Sequence, residues 1–77
     1  MRKSAAKRRY DQKWRRIRGK YLQANPFCVC CAQSGYRQLA QHVDHIIPHE
    51  GDPALFWNRA NWQSLCFHHH WKKRQGL

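Results

Sequence analysis

Asp44 and His45 stand side by side, Asn61 follows them, and His70 lies near the end of the chain. Bracketing them are Cys28-Val29-Cys30-Cys31 and Cys66-Phe67-His68-His69. Two sets of metal-ligating residue types are therefore interleaved. One has the composition of a structural zinc site. The other offers an imidazole base, a carboxylate and a second imidazole, the set that phosphodiester hydrolysis needs.

Cys28 and Cys31 are separated by two residues, a spacing that lets both thiolates reach one ion. Cys66 and His69 are three apart, so on a helix they share a face. Together they make a closed Cys3His tetrahedron. Alternatives stay open at this level. Cys66 with His70 is also a valid helical pair, His68 and His69 can exchange roles, and Cys30 can replace Cys28 with a poorer bite. Cys30 is read as a spare thiol and His68 as an exposed imidazole. A chain of 77 residues buries a modest core and needs a staple. The polar start Met1-Arg2-Lys3-Ser4 carries no apolar leader, and no stretch reads as a membrane span. The expectation is a cytoplasmic chain with reduced thiols, which favours metal over disulfide.

On an extended segment, Asp44 and His45 point to opposite sides. Asp44 then holds a cation while His45 stands on the water side, an imidazole being the side chain best suited to general-base work near neutral pH. His70 lies about 100° around a helix from His69, so it can face away from the zinc and join Asp44 on a second ion. Two protein ligands leave open positions for phosphate and water. Such a site suits Mg²⁺ or Mn²⁺, and its imidazole also accepts Ni²⁺, Co²⁺ or Zn²⁺. The Asn61 amide can bond the backbone near His45 and fix the loop that carries the base.

Several elements must position these groups. Residues 1–9, with Lys3, Lys7, Arg8 and Arg9, read as a flexible basic tail, and residues 10–77 as one domain. A helix is expected over residues 10–24. Tyr10, Trp14, Ile17, Tyr21 and Leu22 form its apolar stripe, Lys13, Arg15, Arg16, Arg18 and Lys20 its basic faces, and Asp11 sits in its first turn. Asn25-Pro26 ends it. Residues 28–31 read as a tight turn, with Gly35 free to take a positive φ. Residues 36–40 and 41–47 read as two short strands or extended pieces, the second stopped by Pro48. Residues 53–57 suggest a helical turn opened by Pro53, residues 61–65 another turn, and residues 65–74 a final helix with Lys72, Lys73 and Arg74 at its negative end. The fold class is small α+β.

The net charge is +11 with a pI near 10.3, and only Asp11, Asp44, Glu50 and Asp52 are acidic. This is the balance of a polyanion binder, with DNA as the expected partner and no membrane. Arg15, Arg16, Arg18 and Lys20, with Lys72, Lys73 and Arg74, are the expected phosphate contacts. Binding of this kind is chiefly electrostatic and reads few bases.

Val43-Asp44-His45-Ile46-Ile47-Pro48, then Asn61-Trp62-Gln63-Ser64-Leu65-Cys66, then His69-His70 followed by Lys73, resembles the HNH endonucleases. The likeness covers about residues 10–74 and is nearest to the small stand-alone HNH proteins of phages and prophages. It implies a ββα-metal fold (the His-Me finger), here with an amphipathic basic N-terminal helix and a zinc knuckle. It implies that Asp44 and His70 bind a catalytic divalent ion, that His45 activates water and that Asn61 orients its loop. Cys28, Cys31, Cys66 and residue 69 would hold structural zinc. The implied activity is metal-dependent DNA cleavage of low sequence specificity, by nicks or double-strand breaks, leaving 5′-phosphate and 3′-hydroxyl ends. A monomer or weak dimer would act alone or with a phage terminase large subunit. The chain departs from the family at His69, where a fourth cysteine is usual, and at Glu50, where a basic residue is common. The alternative is a non-catalytic zinc-containing module that binds nucleic acid or serves a partner.

Overall fold

The computed structural model of the protein describes residues 5–76, with side chains from Asp11 onward. Helix α1 spans Ala5–Ala24, so it begins before the expected residue 10. Ala5, Ala6, Lys7, Arg8 and Arg9 are good helix formers with no glycine or proline among them. Part of the expected tail is therefore helical, residues 1–4 lie outside the described residues, and Asp11 stands inside the helix rather than in its first turn. Trp14, Ile17, Tyr21 and Leu22 form the half-buried stripe, while Arg15, Arg16, Arg18 and Lys20 are exposed. The Tyr10 side chain lies outside the described ones. Asn25 closes the helix, its N–H donating to the Tyr21 carbonyl at 2.8 Å, and Pro26 prevents continuation.

The segment after α1 doubles back on itself. Cys28 N donates to the Gln38 carbonyl and Ala40 N to the Pro26 carbonyl, both at 2.8 Å, and Phe27 bridges Leu39. Within this strap the expected turn at 28–31 is a short helix, α2, over Val29–Gln33, capped by Cys28 and left through Gly35 at φ 86°.

The sheet has two antiparallel strands, β1 over His42–His45 and β2 over Trp62–Leu65. His42 pairs with Leu65, Val43 with Ser64, Asp44 with Gln63 and His45 with Trp62. This corrects the expected strand positions. Residues 36–40 contribute only the bridge at Leu39, and the second strand is the segment expected to turn at 61–65. Its partner supplies the pairing that its own pattern does not advertise.

Between the strands lie helix α3, Pro53–Phe56, and a 3₁₀ turn, Arg59–Asn61. Asp52 caps α3 by accepting from Ala54 N at 2.9 Å, with Pro53 in the first turn as expected. Asn58 does the same for the 3₁₀ turn through Ala60 N at 3.1 Å. Helix α4 spans Phe67–Arg74. It starts after the expected residue 65 because Leu65 belongs to β2 and Cys66 is the cap.

The interior is small and has two centres. Cys28, Leu65 and Cys66 form one, packed by Val29, Cys30 and Cys31. The other is aromatic: Trp14 meets Phe56 at 4.8 Å and Trp62 at 5.2 Å, and Tyr21 meets Trp62 edge-on at 5.5 Å. Two polar ties hold α1 to β2, Tyr21 Oη donating to the Trp62 carbonyl at 3.1 Å and Ser64 Oγ to the Asn25 carbonyl at 2.6 Å. Among the described residues no helix is long and apolar enough to cross a membrane.

Candidate functional site

Cys28 is the cap of α2 and Cys31 lies within it, Cys66 is the cap between β2 and α4, and His69 is in the first turn of α4. Their ligand atoms all lie within 4.8 Å of one another, close enough to hold a metal ion. The Cys31 and Cys66 sulfurs are 3.8 Å apart. His69 Nδ1 stands 3.6, 3.5 and 3.2 Å from the sulfurs of Cys28, Cys31 and Cys66. Tetrahedral zinc with Zn–S bonds of ~2.3 Å has S–S edges of about 3.7 Å and slightly shorter S–N edges. These four edges are close to those of a zinc tetrahedron, and the remaining two are no longer than 4.8 Å. Of the alternatives left open by sequence, the geometry selects His69 over His68 and His70, and leaves Cys30 outside.

The protonation of the quartet is uneven. Burial opposes charge at Cys28, yet the backbone N–H groups of Cys31 and Cys66 and the thiols of both residues donate to it and lower it to about 6. Cys31 is pushed up to about 12, by burial first and then by the Cys28 and Cys66 sulfurs. Without a cation, one thiolate in this cluster keeps a neighbour protonated. A divalent ion is what lets all three ionise together. The Cys30 thiol is raised by burial and by the charges of Cys28 and Cys66.

The second constellation lies along β1. His42 and Asp44 share one face of the strand, and Val43 and His45 the other. Helix α4 crosses the first face. There the His70 ring stacks on His42, with centroids 4.2 Å apart and planes at 15°, and Lys73, one turn later, bonds Asp44. Gln63, the cross-strand partner of Asp44, donates to the same carboxylate oxygen at 3.3 Å. Burial, then the neighbouring His42, lowers the His70 pKa, while Asp44 pulls the other way. His70 is thus a neutral imidazole at physiological pH, the form that ligates metal.

On the other face, Trp14 of α1 stacks on His45, centroids 5.5 Å apart and planes at 22°. His45 Nε2 lies 3.0 Å from the Phe56 carbonyl, which also accepts from Trp62 Nε1 at 2.8 Å. A carbonyl only accepts, so Nε2 carries the proton, and in the neutral ring Nδ1 keeps a free lone pair. Asn61, 6% exposed, ties the following loop. Its Oδ1 accepts from Ile47 N at 2.8 Å, its Nδ2 donates to the carbonyls of Ile47 at 2.9 Å and Leu55 at 3.2 Å, and its own carbonyl accepts from Ile46 N at 2.7 Å. Asp44, His45, Pro48, His49, Glu50, Lys73 and Arg74 line one open cleft of about 350 Å³.

Of the expected phosphate contacts, Arg15, Arg16, Arg18 and Lys20 are on the exposed side of α1 and Arg74 is at the cleft. Lys72 is half-buried beside Cys30 and His69. Lys73 is engaged with Asp44. Sequence reasoning missed four participants: Trp14 and the Phe56 carbonyl on His45, Gln63 on Asp44 and His42 on His70. His42 had a signal, since residues two apart on a strand share a face. Gln63 becomes visible once the register is known. The other two depend on tertiary packing.

No protein-family model matches this chain, and comparison with curated proteins and with solved structures likewise yields no match.

Proposed function

We propose that the protein is a metal-dependent endonuclease of the HNH type, with the ββα-metal fold, that hydrolyses phosphodiester bonds in DNA with low sequence specificity. The observation that carries this reading is the pair Asp44 and His45 on one cleft, with His45 Nε2 committed to the Phe56 carbonyl and Nδ1 left with its lone pair. Its supports also include the antiparallel β1–β2 pair crossed by α4 and the +11 charge.

In this reading Nδ1 of His45 takes the proton from the attacking water. The Phe56 carbonyl holds the ring in the required tautomer, Trp14 holds its plane, and Asn61 holds the loop behind it. Asp44 and neutral His70 are a hard carboxylate and an imidazole on adjacent elements, a donor pair that fits Mg²⁺, Mn²⁺ or a softer divalent ion. When bound there, such an ion supplies Lewis-acid stabilisation to the phosphate and to the departing 3′ oxygen. Arg15, Arg16, Arg18, Lys20 and Arg74 carry the phosphate backbone electrostatically, so binding weakens steeply with salt. Cys28, Cys31, Cys66 and His69 hold structural zinc.

The test is relaxation of supercoiled plasmid by the zinc-loaded protein and by His45→Ala, with EDTA and with added Mg²⁺, Mn²⁺ or Ni²⁺. Wild type converts the plasmid to open circle only with metal, and His45→Ala loses roughly 10²–10⁴-fold of that rate. Full activity in the variant sinks the base assignment. A second reading is favoured by one observation, the Lys73–Asp44 ion pair: a non-catalytic zinc module that binds nucleic acid, or an accessory to a partner such as a phage terminase large subunit. A duplex complex that forms without magnesium and is never cleaved would support it.

A further inference from the structure

Lys73 reaches from the last turn of α4 to the edge of β1. Its Nζ donates to Asp44 Oδ2 and to the His45 carbonyl, and the Ile46 carbonyl lies 3.5 Å away. An ammonium has three donors, and three oxygens surround this one. Two are backbone carbonyls fixed by the chain path, the third is a carboxylate. A cage of oxygens with one formal negative charge is also what a hard divalent ion seeks. A cation arriving at Asp44 meets a charge of its own sign already on that carboxylate.

We propose that Lys73 is an exchangeable internal counter-ion. It neutralises Asp44 while no divalent ion is bound, and leaves Asp44 as an ion binds. This rests on the reading of Asp44 as a metal ligand. Two consequences follow. Metal binding becomes a competition, weaker than Asp44 and His70 alone would give. The displaced ammonium remains tethered beside the cleft, where a phosphate oxygen is its natural new partner. Metal and DNA binding then strengthen each other, and by linkage they do so equally.

The experiment is Mn²⁺ binding to the zinc-loaded protein at fixed ionic strength, read from the paramagnetic resonance of the free ion. Wild type is compared with Lys73→Met, Lys73→Gln, Arg74→Met and Asp44→Asn, with circular dichroism and zinc content confirming that each variant is folded. Both Lys73 variants should bind Mn²⁺ more tightly, on the order of tenfold. Arg74→Met removes the same charge from the same cleft and should change affinity by less than about threefold, because Asp44 is bonded by Lys73 and the Arg74 charge acts through screening solvent. If both Lys73 variants bind no more tightly than wild type while Asp44→Asn loses the ion, the metal site stands and the role of the lysine is overturned. If Asp44→Asn binds as well as wild type, Asp44 is not a ligand, and the reading of the site falls together with the proposal.

Discussion

The sulfur quartet and the Asp44 cleft both draw on the sheet and on α4, yet they are finished to different degrees. In the quartet all four ligand atoms already lie within 4.8 Å of one another, and the ligands come from segments that also meet in the small core around Leu65. In the cleft Asp44 and the His45 ring stacked on Trp14 are in place, a lysine bonds the Asp44 carboxylate, and much of the positioning falls to backbone carbonyls. A structural site gains by closing, because its work is to hold elements together. A site that must admit phosphate and water has to leave positions open, and its parts need other partners meanwhile.

Removal of the zinc proposed for the quartet should have the most severe consequence. Structural zinc contributes about 10–16 kcal/mol of apparent binding free energy, against a total stability of about 5–15 kcal/mol for ordinary domains. Cys66→Ser, or a strong chelator, is expected to abolish the cooperative unfolding transition seen by far-ultraviolet circular dichroism. A chelated chain that still unfolds cooperatively would show that the aromatic centre suffices. Acid should act in the same direction. The Cys28 pKa is lowered from 9.0 to about 6, so the contribution of its thiolate is present above pH 9.0 and is lost as the pH falls through about 6. Zinc release, followed with a chromogenic chelator, should set in on acidification and not on moderate alkalinisation.

On the side of the cleft the expected cost is smaller. Asn61 is buried and serves Ile47 N, Ile47 O and Leu55 O with one amide. Asn61→Ala leaves those groups to find water or go unpaired, at a cost of about 2–3 kcal/mol in urea unfolding. Asn61→Asp has nearly the same shape but, when ionised, turns an oxygen without a proton toward two carbonyls, so it should cost at least as much. Zinc content should be unchanged in either variant. Loss of zinc would mean that the two regions are not separate.

How much was legible in the sequence follows the same division. The quartet could be read because its spacings, two residues between cysteines and a helical step from Cys66 to His69, are short-range facts. The stripe of Trp14, Ile17 and Tyr21 and the Pro53 turn were local too. Strand β2 was not legible. It is buried at Trp62, Ser64 and Leu65, so it shows no alternation, and Ser64 is interior only because its hydroxyl reaches Asn25. Helix α2 is a single turn imposed by the strap that closes around it. That Trp14 would stack on His45, or that Lys73 would meet Asp44, depends on how α1 and α4 cross the sheet, which no local pattern contains.

A mild change is expected in α1, the element that brings Trp14 to His45. Gly19 lies inside this helix, and a Cβ built there meets nothing within 4 Å. Glycine in a helix interior costs about 0.5–1 kcal/mol relative to alanine, mostly through the freedom it keeps in the unfolded chain. Gly19→Ala should therefore stabilise the protein by about that amount, a rise of roughly 3–6 °C in Tm for a domain of this size. Its effect on zinc affinity should be negligible, since α1 supplies none of the quartet's ligands. A fall in Tm would mean that the helix must bend or be approached closely at Gly19, and that α1 is fitted to something other than the aromatic centre it packs on. Unchanged Tm with faster amide exchange along α1 would place the helix outside the cooperative unit, leaving the quartet as the element that decides whether the chain folds.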